Sequence, residues 1–579
     1  MKNRAGSKSE GLGQTKIKLF FSNQDSGFVK LFLIVLALSL ASQISAQVLP
    51  ESAEPKLRPL QERPKPPAEE LPDITVQPPD ATAPSGASDI FVVLRNVNID
   101  GATVYSPDTL EETYAHFIGK EISLAEVFSI ADRIQEQYRS SGYMLTRVIV
   151  PPQSVKDGIF QVHVVEGFIS GIKIEGDIGP VGEQLEAYFE NIVDQHPVRE
   201  QDLERYLLLA NDLPGVSALG FLRSSVGEPG ASELVVQTER KPFGGYTYIN
   251  NRGSRYTGHE RFLLSVRENS ATSLGEQIEG TFLHTLTTNE QVYGNLSYRQ
   301  PLNDEGLQLH LAAGYGPSEP GFTLKDQDVE TGALTVNASL NYPIIRSRKH
   351  NLYIEAGFQL IDQDVDFRGD PISRDRLRVV FANIAYDFKD ALGGQSLFSF
   401  GLRKGLEAFG SSEKNDGALS RADGVPDFTS LNLQISRNQY LWGPFNLYIA
   451  GTGQYAFNAL LNAEEFKAGG EQFGRGYNPA EITGDDGIGA MAELQYTTPI
   501  PFPYWQSLQG YGFYDAGVIW NKGDNSNRRR SLTSAGFGVH NRVLEHFFVD
   551  LEIAWPLTST PDTFNDQDPR LFFQVMARF

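Results

Sequence analysis

The second half of the chain alternates apolar and polar residues with a period of two, in one segment of about ten residues after another. Odd positions are apolar in residues 307–315 and in 445–449, and even positions are apolar in 352–360. The final segment, 571–579, also places its apolar residues at odd positions and ends in Phe579. Clusters of Gly, Asn, Asp and Ser separate the segments. This pattern predicts β-strands that each have one apolar and one polar face.

Such strands match a membrane barrel that is apolar outside and polar inside. A closed sheet leaves no unpaired backbone in lipid, which an open sheet would do. At about 20 residues per strand and connection, residues 241–579 hold on the order of 16 strands. Aromatic residues near the strand ends and the terminal Phe579 favour this reading over a soluble β-sandwich or propeller. We therefore predict a transmembrane antiparallel β-barrel over 241–579.

The N-terminal residues 1–46 have the features of a cleaved signal peptide. Basic residues extend to Lys30, an apolar stretch covers 31–40, and small residues lead to Ala46. That stretch is shorter than the roughly 20 residues that a helix needs to cross a bilayer. A membrane anchor or a buried helix is the alternative.

Two regions separate this signal from the barrel. Residues 47–88 are rich in Pro, Glu and Ala, which predicts an extended linker. Residues 89–240 predict α+β structure in which the order β-α-α-β-β occurs twice, over 89–167 and 168–240. The first repeat opens with one strand over 91–99. Its second helix follows Ser123 and Glu126, which resemble a capping box, and ends at Gly142.

Composition restricts the possible chemistry. The chain has no Cys, so it has no disulfide, thiol nucleophile or cysteine-ligated metal. The net charge of -22 argues against a nucleic-acid partner, which requires a basic surface. The nine His residues show no metal-binding spacing, and phosphate-binding and nucleophile-elbow motifs are absent. We expect no catalysis, no cofactor and no metal site.

Two short motifs stand out within the barrel region. Residues 473–477 read Phe-Gly-Arg-Gly-Tyr in a loop, and residues 513–517 read Phe-Tyr-Asp-Ala-Gly in a strand. The strand places Tyr514 and Ala516 on its apolar face, which leaves Asp515 on the inner face. Taken alone, the first motif favours an ordinary surface loop with an exposed arginine.

Several stretches together resemble the two-partner secretion transporters of the haemolysin-activator type. Residues 141–153 and 158–167 resemble the end of the family's first polypeptide-transport-associated (POTRA) domain. Residues 250–258 resemble the entry into the barrel, and 298–302 resemble a recurring strand-end motif. The resemblance runs from about Asp89 to the C-terminus. The same superfamily includes the insertases that assemble outer-membrane barrels.

The resemblance implies two periplasmic POTRA domains, at 89–167 and 168–240, and a 16-stranded barrel in the Gram-negative outer membrane. It also implies that the motif loop folds into the lumen, where Arg475 of Arg475-Gly476-Tyr477 meets Asp515. An arginine–carboxylate pair in a confined space is bidentate and charge-assisted, so it would latch the loop. Phe579 would be the C-terminal assembly signal of the barrel.

The implied function is export of a cognate large secreted protein. That protein would be unfolded in the periplasm and would add to an exposed POTRA sheet edge before it enters the lumen. The implied partners are this exoprotein, outer-membrane lipids and the barrel-assembly machinery, with no nucleic acid. Many members also carry a plug helix after the signal peptide. The prolines of 47–88 argue against one here, since an interior Pro costs about 3 kcal/mol.

Three other functions remain open for this sequence. An insertase for outer-membrane barrels shares the loop motif, but such proteins usually carry more POTRA domains than the two that fit here. A gated uptake receptor or porin would require residues 48–240 to form a plug inside the barrel. An outer-membrane lipase would need a Ser/His/Asp arrangement, and none stands out in the sequence.

Overall fold

The computed structural model describes residues 83–155, 157–225, 227–286, 290–499, 505–522 and 529–579. The predicted signal peptide and residues 47–82 of the predicted linker lie outside the described residues. The prediction that this linker holds no plug helix concerns the same residues. In these ranges no helix has the length and apolar character to cross a membrane.

The first α/β unit packs two helices with two small sheets. Strand β5 is central in one sheet, parallel to β2 and antiparallel to β4, while β1 pairs with β3. The elements are β1 (Phe91–Val93), β2 (Asn96–Asp100), α1 (Pro107–Glu111), β3 (Glu121–Ser123), α2 (Leu124–Ser140), β4 (Arg147–Ile149) and β5 (Ile159–Val165).

Helix α2 forms the core of this unit. Its N-terminus has the predicted capping box, in which the Ser123 and Glu126 side chains each bond the other's backbone N–H. Its apolar face is fully buried, including Val127, Ile130 and Ile134. The capping prediction is therefore confirmed.

The prediction of one strand over residues 91–99 is wrong. The strand is interrupted at Leu94. This residue is fully buried, and its N–H donates to the Lys120 carbonyl at 3.0 Å. The next N–H, of Arg95, donates to the Gly158 carbonyl at 2.8 Å. Consecutive residues thus bond to different neighbours, which places β1 and β2 in separate sheets.

The second α/β unit has one three-stranded sheet covered by two helices. Its elements are β6 (Phe168–Gly176), α3 (Gly182–Glu190), α4 (Glu200–Asp212), β7 (Val216–Ser224) and β8 (Ala231–Arg240). Strand β8 is central, parallel to β6 and antiparallel to β7. Leu185, Phe189 and Leu209 from the helices pack with Leu234 and Val236 of β8 in one core.

The described residues that follow form a closed antiparallel barrel of 16 strands, β9–β19 and β22–β26, in which β26 pairs with β9. Strands β20 and β21 form a separate hairpin. The strands are β9 (Phe243–Asn250), β10 (Arg261–Asn269), β11 (Gln277–Thr285), β12 (Val292–Pro301), β13 (Gln308–Ser318), β14 (Val329–Arg346), β15 (His350–Phe367), β16 (Asp370–Lys389), β17 (Gly394–Gly405), β18 (Thr429–Trp442), β19 (Phe445–Ala456), β20 (Phe466–Ala468), β21 (Ile482–Gly484), β22 (Asp486–Thr498), β23 (Trp505–Trp520), β24 (Arg529–Val543), β25 (Phe547–Pro556) and β26 (Arg570–Arg578).

The barrel wall follows the period of two in the sequence. Large apolar residues such as Leu296, Ile384 and Phe400 are exposed on the outside, while alternate residues such as Asn383 and Gln359 make polar contacts. The prediction of α+β units followed by a barrel of about 16 strands is confirmed. The pattern was enough to predict the barrel because each strand presents apolar residues to lipid on one face and polar residues to the lumen on the other.

The strand ends differ in their connections. Strand β9 follows β8 closely, so the second α/β unit lies at the end of the barrel where β9 starts. At the opposite end, loop L5 (residues 406–428) joins β17 to β18, and loop L6 (residues 457–485) joins β19 to β22 and contains the β20–β21 hairpin.

Helix α4 docks on the turns at the near end of the barrel. Arg346, at the end of β14, donates from Nε and Nη2 to the two carboxylate oxygens of Asp212 at 2.8 and 2.7 Å. Arg205 of α4 meets Glu305 at 3.3 Å, and the Tyr206 hydroxyl donates to the same carboxylate at 3.0 Å. These contacts fix the second α/β unit to one side of the barrel mouth.

Candidate functional site: a loop held inside the barrel

L6 folds back against the inner wall of the barrel. Two glycines on the inner face of β22 make room for it: a Cβ atom at Gly487 would lie 2.0 Å from the Phe466 ring, and one at Gly489 would lie 2.8 Å from the Phe473 ring. Farther along the loop, Tyr477 joins a buried apolar cluster with Ile519 and other wall residues. The wall is thus shaped for the loop.

Arg475, near the tip of L6, forms a bidentate ion pair with Asp515 of β23. Its Nε lies 3.1 Å from Asp515 Oδ2, and its Nη2 lies 3.0 Å from Oδ1. Asp515 is fully buried and also accepts the Arg475 backbone N–H at 3.0 Å and the Ser534 hydroxyl at 3.1 Å. Both carboxylate oxygens are therefore occupied, and both the side chain and the backbone of Arg475 are fixed.

Two more carboxylates face the same arginine. Nη1 of Arg475 lies 2.9 Å from Glu493 Oε2 and 3.2 Å from Glu552 Oε2. The guanidinium also stands 3.4 Å from the centroid of the Phe513 ring, within the range of a cation–π contact. One loop residue is thus bound to strands β22, β23 and β25 at once.

Glu552 connects this arginine to a second one. Its Oε1 accepts from Arg252 Nη2 at 2.9 Å, and its Oε2 accepts from the Tyr511 hydroxyl at 2.9 Å. The cluster holds three carboxylates (Asp515, Glu493 and Glu552) and two guanidiniums (Arg475 and Arg252), a formal sum of −1. Because it is buried, losing any one charge would leave its partners poorly compensated.

The neighbours of Arg475 fit tightly to the wall. A Cβ atom at Gly476 would lie 2.7 Å from the backbone nitrogen of Pro556, at the end of β25. The Tyr477 side chain is buried, and its hydroxyl oxygen accepts the N–H groups of Thr558 and Ser559 at 3.1 and 3.2 Å. All three residues of the Arg-Gly-Tyr motif therefore contact the barrel.

The structure brings four of the predicted site residues together and leaves the fifth elsewhere. Arg475, Gly476, Tyr477 and Asp515 meet inside the barrel, whereas Phe579 lies at the seam between β26 and β9. Its N–H donates to the Gly245 carbonyl at 3.1 Å, its carbonyl accepts the Gly245 N–H at 2.9 Å, and its ring is exposed.

Sequence reasoning missed the other charged members of the cluster. Glu493 and Glu552 occupy inward positions of β22 and β25, and strand parity alone identifies them as inward. Parity does not select them, however, because other inward positions also carry carboxylates, such as Glu355. Arg252 lies in a loop, where the period of two gives no information.

In this arrangement Arg475 of L6 is paired with three carboxylates of the barrel wall. The carboxylates of the cluster accept hydrogen bonds from arginines, hydroxyls, the Gln495 amide and the Arg475 backbone N–H. Within the described ranges, no group of three or more His, Asp or Glu residues is placed to hold a metal ion.

Comparisons with known proteins agree with this architecture. Residues 230–541, more than half of the chain, match the family described as haemolysin secretion/activation protein ShlB/FhaC/HecB, and residues 92–167 match the ShlB-type POTRA domain. The heme/hemopexin transporter protein HuxB of Haemophilus influenzae is 23% identical over 487 residues, covering 81% of this chain and 84% of HuxB. The outer membrane transporter CdiB-2 of Burkholderia pseudomallei is 24% identical, covering 80% of each chain.

Two solved structures share the fold. CdiB from Escherichia coli superimposes with a TM-score of 0.72 at 17% identity, covering 87% of this chain and 93% of CdiB. CdiB from Acinetobacter baumannii gives a TM-score of 0.61 at 17% identity, covering 95% and 97% of the two chains.

Proposed function

The chain belongs to the ShlB/FhaC/HecB family of haemolysin secretion/activation proteins, and from this premise we propose how it exports its client. It is an outer-membrane transporter of a cognate secreted protein, and its POTRA units lie in the periplasm. The proposed route begins at the POTRA sheets and passes through the barrel lumen. L6 is the element that must move.

The contact that carries the proposal is the bidentate pair between Arg475 and Asp515. A loop inside the lumen obstructs a polypeptide, so passage requires the loop to shift. The pair holds the loop through charge-assisted bonds, and Glu493 and Glu552 offer the same guanidinium alternative partners. We infer that Arg475 both seats the resting loop and guides its return after a client has passed.

Capture of the client is assigned to the edge strands of the POTRA sheets. In the second unit the strand order β6-β8-β7 leaves β6 and β7 at the edges, and in the first unit the order β2-β5-β4 leaves β2 and β4 there. An extended, unfolded exoprotein would add to such an edge through backbone hydrogen bonds, which make few demands on sequence. Release of energy from client folding outside the cell would draw the chain outward.

Two further partners belong to this proposal. Outer-membrane lipids would cover the exposed apolar face of the barrel, as transmembrane barrels require. The barrel-assembly machinery would read the terminal Phe579 while the barrel is being inserted. Neither partner takes part in export itself, and the transporter would need no cofactor.

The test compares surface and culture-supernatant proteins from cells with and without the transporter. We expect its loss to remove one or two large secreted proteins and to leave other outer-membrane barrels at normal levels. Broad depletion of those barrels would instead identify an insertase.

In the same cells, Arg475→Ala and Asp515→Ala should cut export strongly, because breaking a buried ion pair costs about 3–5 kcal/mol.

A matched control separates the latch from general effects of charge removal. Arg437 pairs with Asp390 at 2.7 Å near a turn on the periplasmic side, far from L6 in the fold. Arg437→Ala should leave export unchanged. Heat-modifiable migration on gels would check that every variant still forms a barrel. Wild-type export by both Arg475→Ala and Asp515→Ala would eliminate the latch as a functional element.

A further inference from the structure

L5 packs against the barrel wall at its outer end. It runs beside β16, where the Leu406 N–H donates to the Arg378 carbonyl at 2.8 Å and the Arg374 N–H donates to the Ala418 carbonyl at 2.6 Å. It then packs inward against the root of L6, where the loop leaves β19 and enters β22. It also packs against the inner face of β15 and β16. This outer cluster comprises Ile361, Leu377, Val379, Leu419, Val425, Phe428, Ala456, Leu460 and Leu461.

Arg421 of L5 contacts both arms of L6, the segment that leaves β19 and the segment that enters β22. Its Nη1 donates to the Leu460 carbonyl at 2.9 Å and to Glu465 Oε1 at 2.6 Å, both on the arm that leaves β19. The same nitrogen lies 2.6 Å from Oδ1 of Asp485, on the arm that enters β22. One guanidinium thus clamps the loop where its arms come together.

Asp485 is the buried anchor of this clamp. It is fully buried and accepts, besides Arg421, the N–H groups of Leu460 and Lys522, each at 2.6 Å. Glu465 is also buried. Without Arg421, two carboxylates would remain in a desolvated site with no arginine between them.

A second arginine holds the same end of L6 to the wall. Arg403, on the inner face of β17, donates to both carboxylate oxygens of Glu464, at 2.9 and 2.6 Å. The root of L6 is therefore bound through β17 and L5, whereas its tip is bound through β22, β23 and β25. Release of Arg475 alone would leave L6 tethered at its root.

We propose that L5 is a second gate element, and that Arg421 locks it to the root of L6 until a client passes. This inference rests on the proposed export function. Opening then requires two separate events: release of the tip from Asp515, and separation of L5 from L6 around Arg421. Arg421 acts as a positioning residue, because it holds the loop without needing to contact the client.

The first test measures the pore without a client. Full-length protein in a planar lipid bilayer, with potassium chloride as the only permeant salt, reports how often the pore opens. We expect Arg421→Gln to raise the frequency of openings several-fold. Adding Arg421→Gln to the tip variant Arg475→Ala should raise that frequency further. Arg437→Gln, at the pair with Asp390, is the matched control and should behave as the wild type.

The second test joins L5 to the root of L6 by a covalent bond at a neighbouring contact. The Val425 N–H donates to the Ala459 carbonyl at 3.0 Å, so these two backbones lie side by side, as a disulfide requires. Because the chain has no Cys, Val425→Cys with Ala459→Cys introduces one defined pair. Oxidation should close the pore and stop export, and reduction should restore both, while each single variant should not respond.

The outcomes separate this inference from the export function. Export and openings that persist in the fully oxidised pair would show that L5 and L6 move together, which overturns the second gate. Failure of the disulfide to form would show that L5 is not in stable contact with the root of L6, which also overturns the inference. If oxidation controls the conductance while no secreted protein depends on the transporter, the gate stands and the proposed export function fails.

Discussion

Gly476 of L6 lies close to the barrel backbone at the end of β25. A Cβ atom there would lie 2.7 Å from the Pro556 nitrogen and 2.8 Å from the carbonyl carbon of Trp555. Side-chain ends can rotate away from such a contact, but the backbone of a paired strand cannot. The glycine therefore determines how deeply Arg475 reaches toward Asp515.

We expect Gly476→Ala to lift the loop tip and to reduce export about as much as Arg475→Ala. The physical reason is steric, since the arginine and its carboxylate partners would all remain present. Secretion by intact cells measures the effect, with barrel formation checked on gels. Gly510→Ala on β23 is the control, because a Cβ atom there would meet nothing within 4 Å. Equal export by the two variants would contradict the close fit.

Glu166 is a carboxylate at the junction of the two POTRA units. Its oxygens accept the Thr103 N–H at 2.7 Å, the Val104 N–H at 3.1 Å and the Tyr138 hydroxyl at 2.7 Å. Burial works to raise its pKa, but these donors and the Thr103 hydroxyl favour the charged form and hold the pKa below its usual value. The side chain thus ties the loop after β2 to the end of β5.

This lowered pKa predicts acid sensitivity of the first POTRA unit. The stabilisation is complete above the unfolded-state pKa of about 4.3 and is lost as pH falls through the lower folded-state value. Urea unfolding of the full-length protein, followed by pulsed hydrogen exchange in residues 91–165, should show a midpoint that drops at acidic pH. Glu166→Gln should lower the midpoint at neutral pH and flatten this dependence. An unchanged profile would rule out the role of the carboxylate.

At the scale of elements, helix α4 sets the position of the second POTRA unit under the barrel. Its contacts with the periplasmic turns are ionic and partly buried, with the bidentate pair of Arg346 and Asp212 as the strongest by geometry. These turns belong to β12–β15, so the docked unit lies under one side of the mouth. A client leaving its sheet edge would therefore enter from a fixed direction.

Removing this pair should loosen the docking without unfolding either part. We expect Arg346→Ala to weaken it by about 1.5–3 kcal/mol, the range for hydrogen bonds to charged groups, and to lower export. Hydrogen exchange in α4 of the full-length protein would rise. Lys173→Ala, which removes an exposed pair with Glu175 in the same unit, should change neither quantity. A rise in exchange with undiminished export would show that docking does not direct the client.

The elements also show how far sequence can specify this fold. Helix α2 was predictable because its apolar spacing and capping box are local. The separation of β1 from β2 was not, because it depends on the distant carbonyls of Lys120 and Gly158. Asp515 was identified by strand parity together with the family resemblance. Glu493, Glu552 and Arg421 were not, since several strands and loops must come together before their charges meet.

At the scale of the whole molecule, the barrel seam distinguishes the export and insertase functions. Strands β26 and β9 share five residue pairs, whereas β9 and β10 share eight. Side chains reinforce the short seam: Asn250 donates to Gln574 at 3.1 Å, and Asn251 donates to the Leu571 carbonyl at 2.9 Å. Export through the lumen needs no opening here, while insertion of another barrel through the seam would.

A disulfide across the seam tests this difference. Asn250 and Gln574 are directly paired, so their Cα atoms fall in the range of about 4.5–5.5 Å that a disulfide accepts. We expect Asn250→Cys with Gln574→Cys to export its client equally well when oxidised and when reduced. The Val425→Cys and Ala459→Cys pair, oxidised in the same way, provides the comparison that should stop export. If oxidation of the seam pair blocks export and a reductant restores it, the client route must involve lateral opening, and a closed lumen pathway would be wrong.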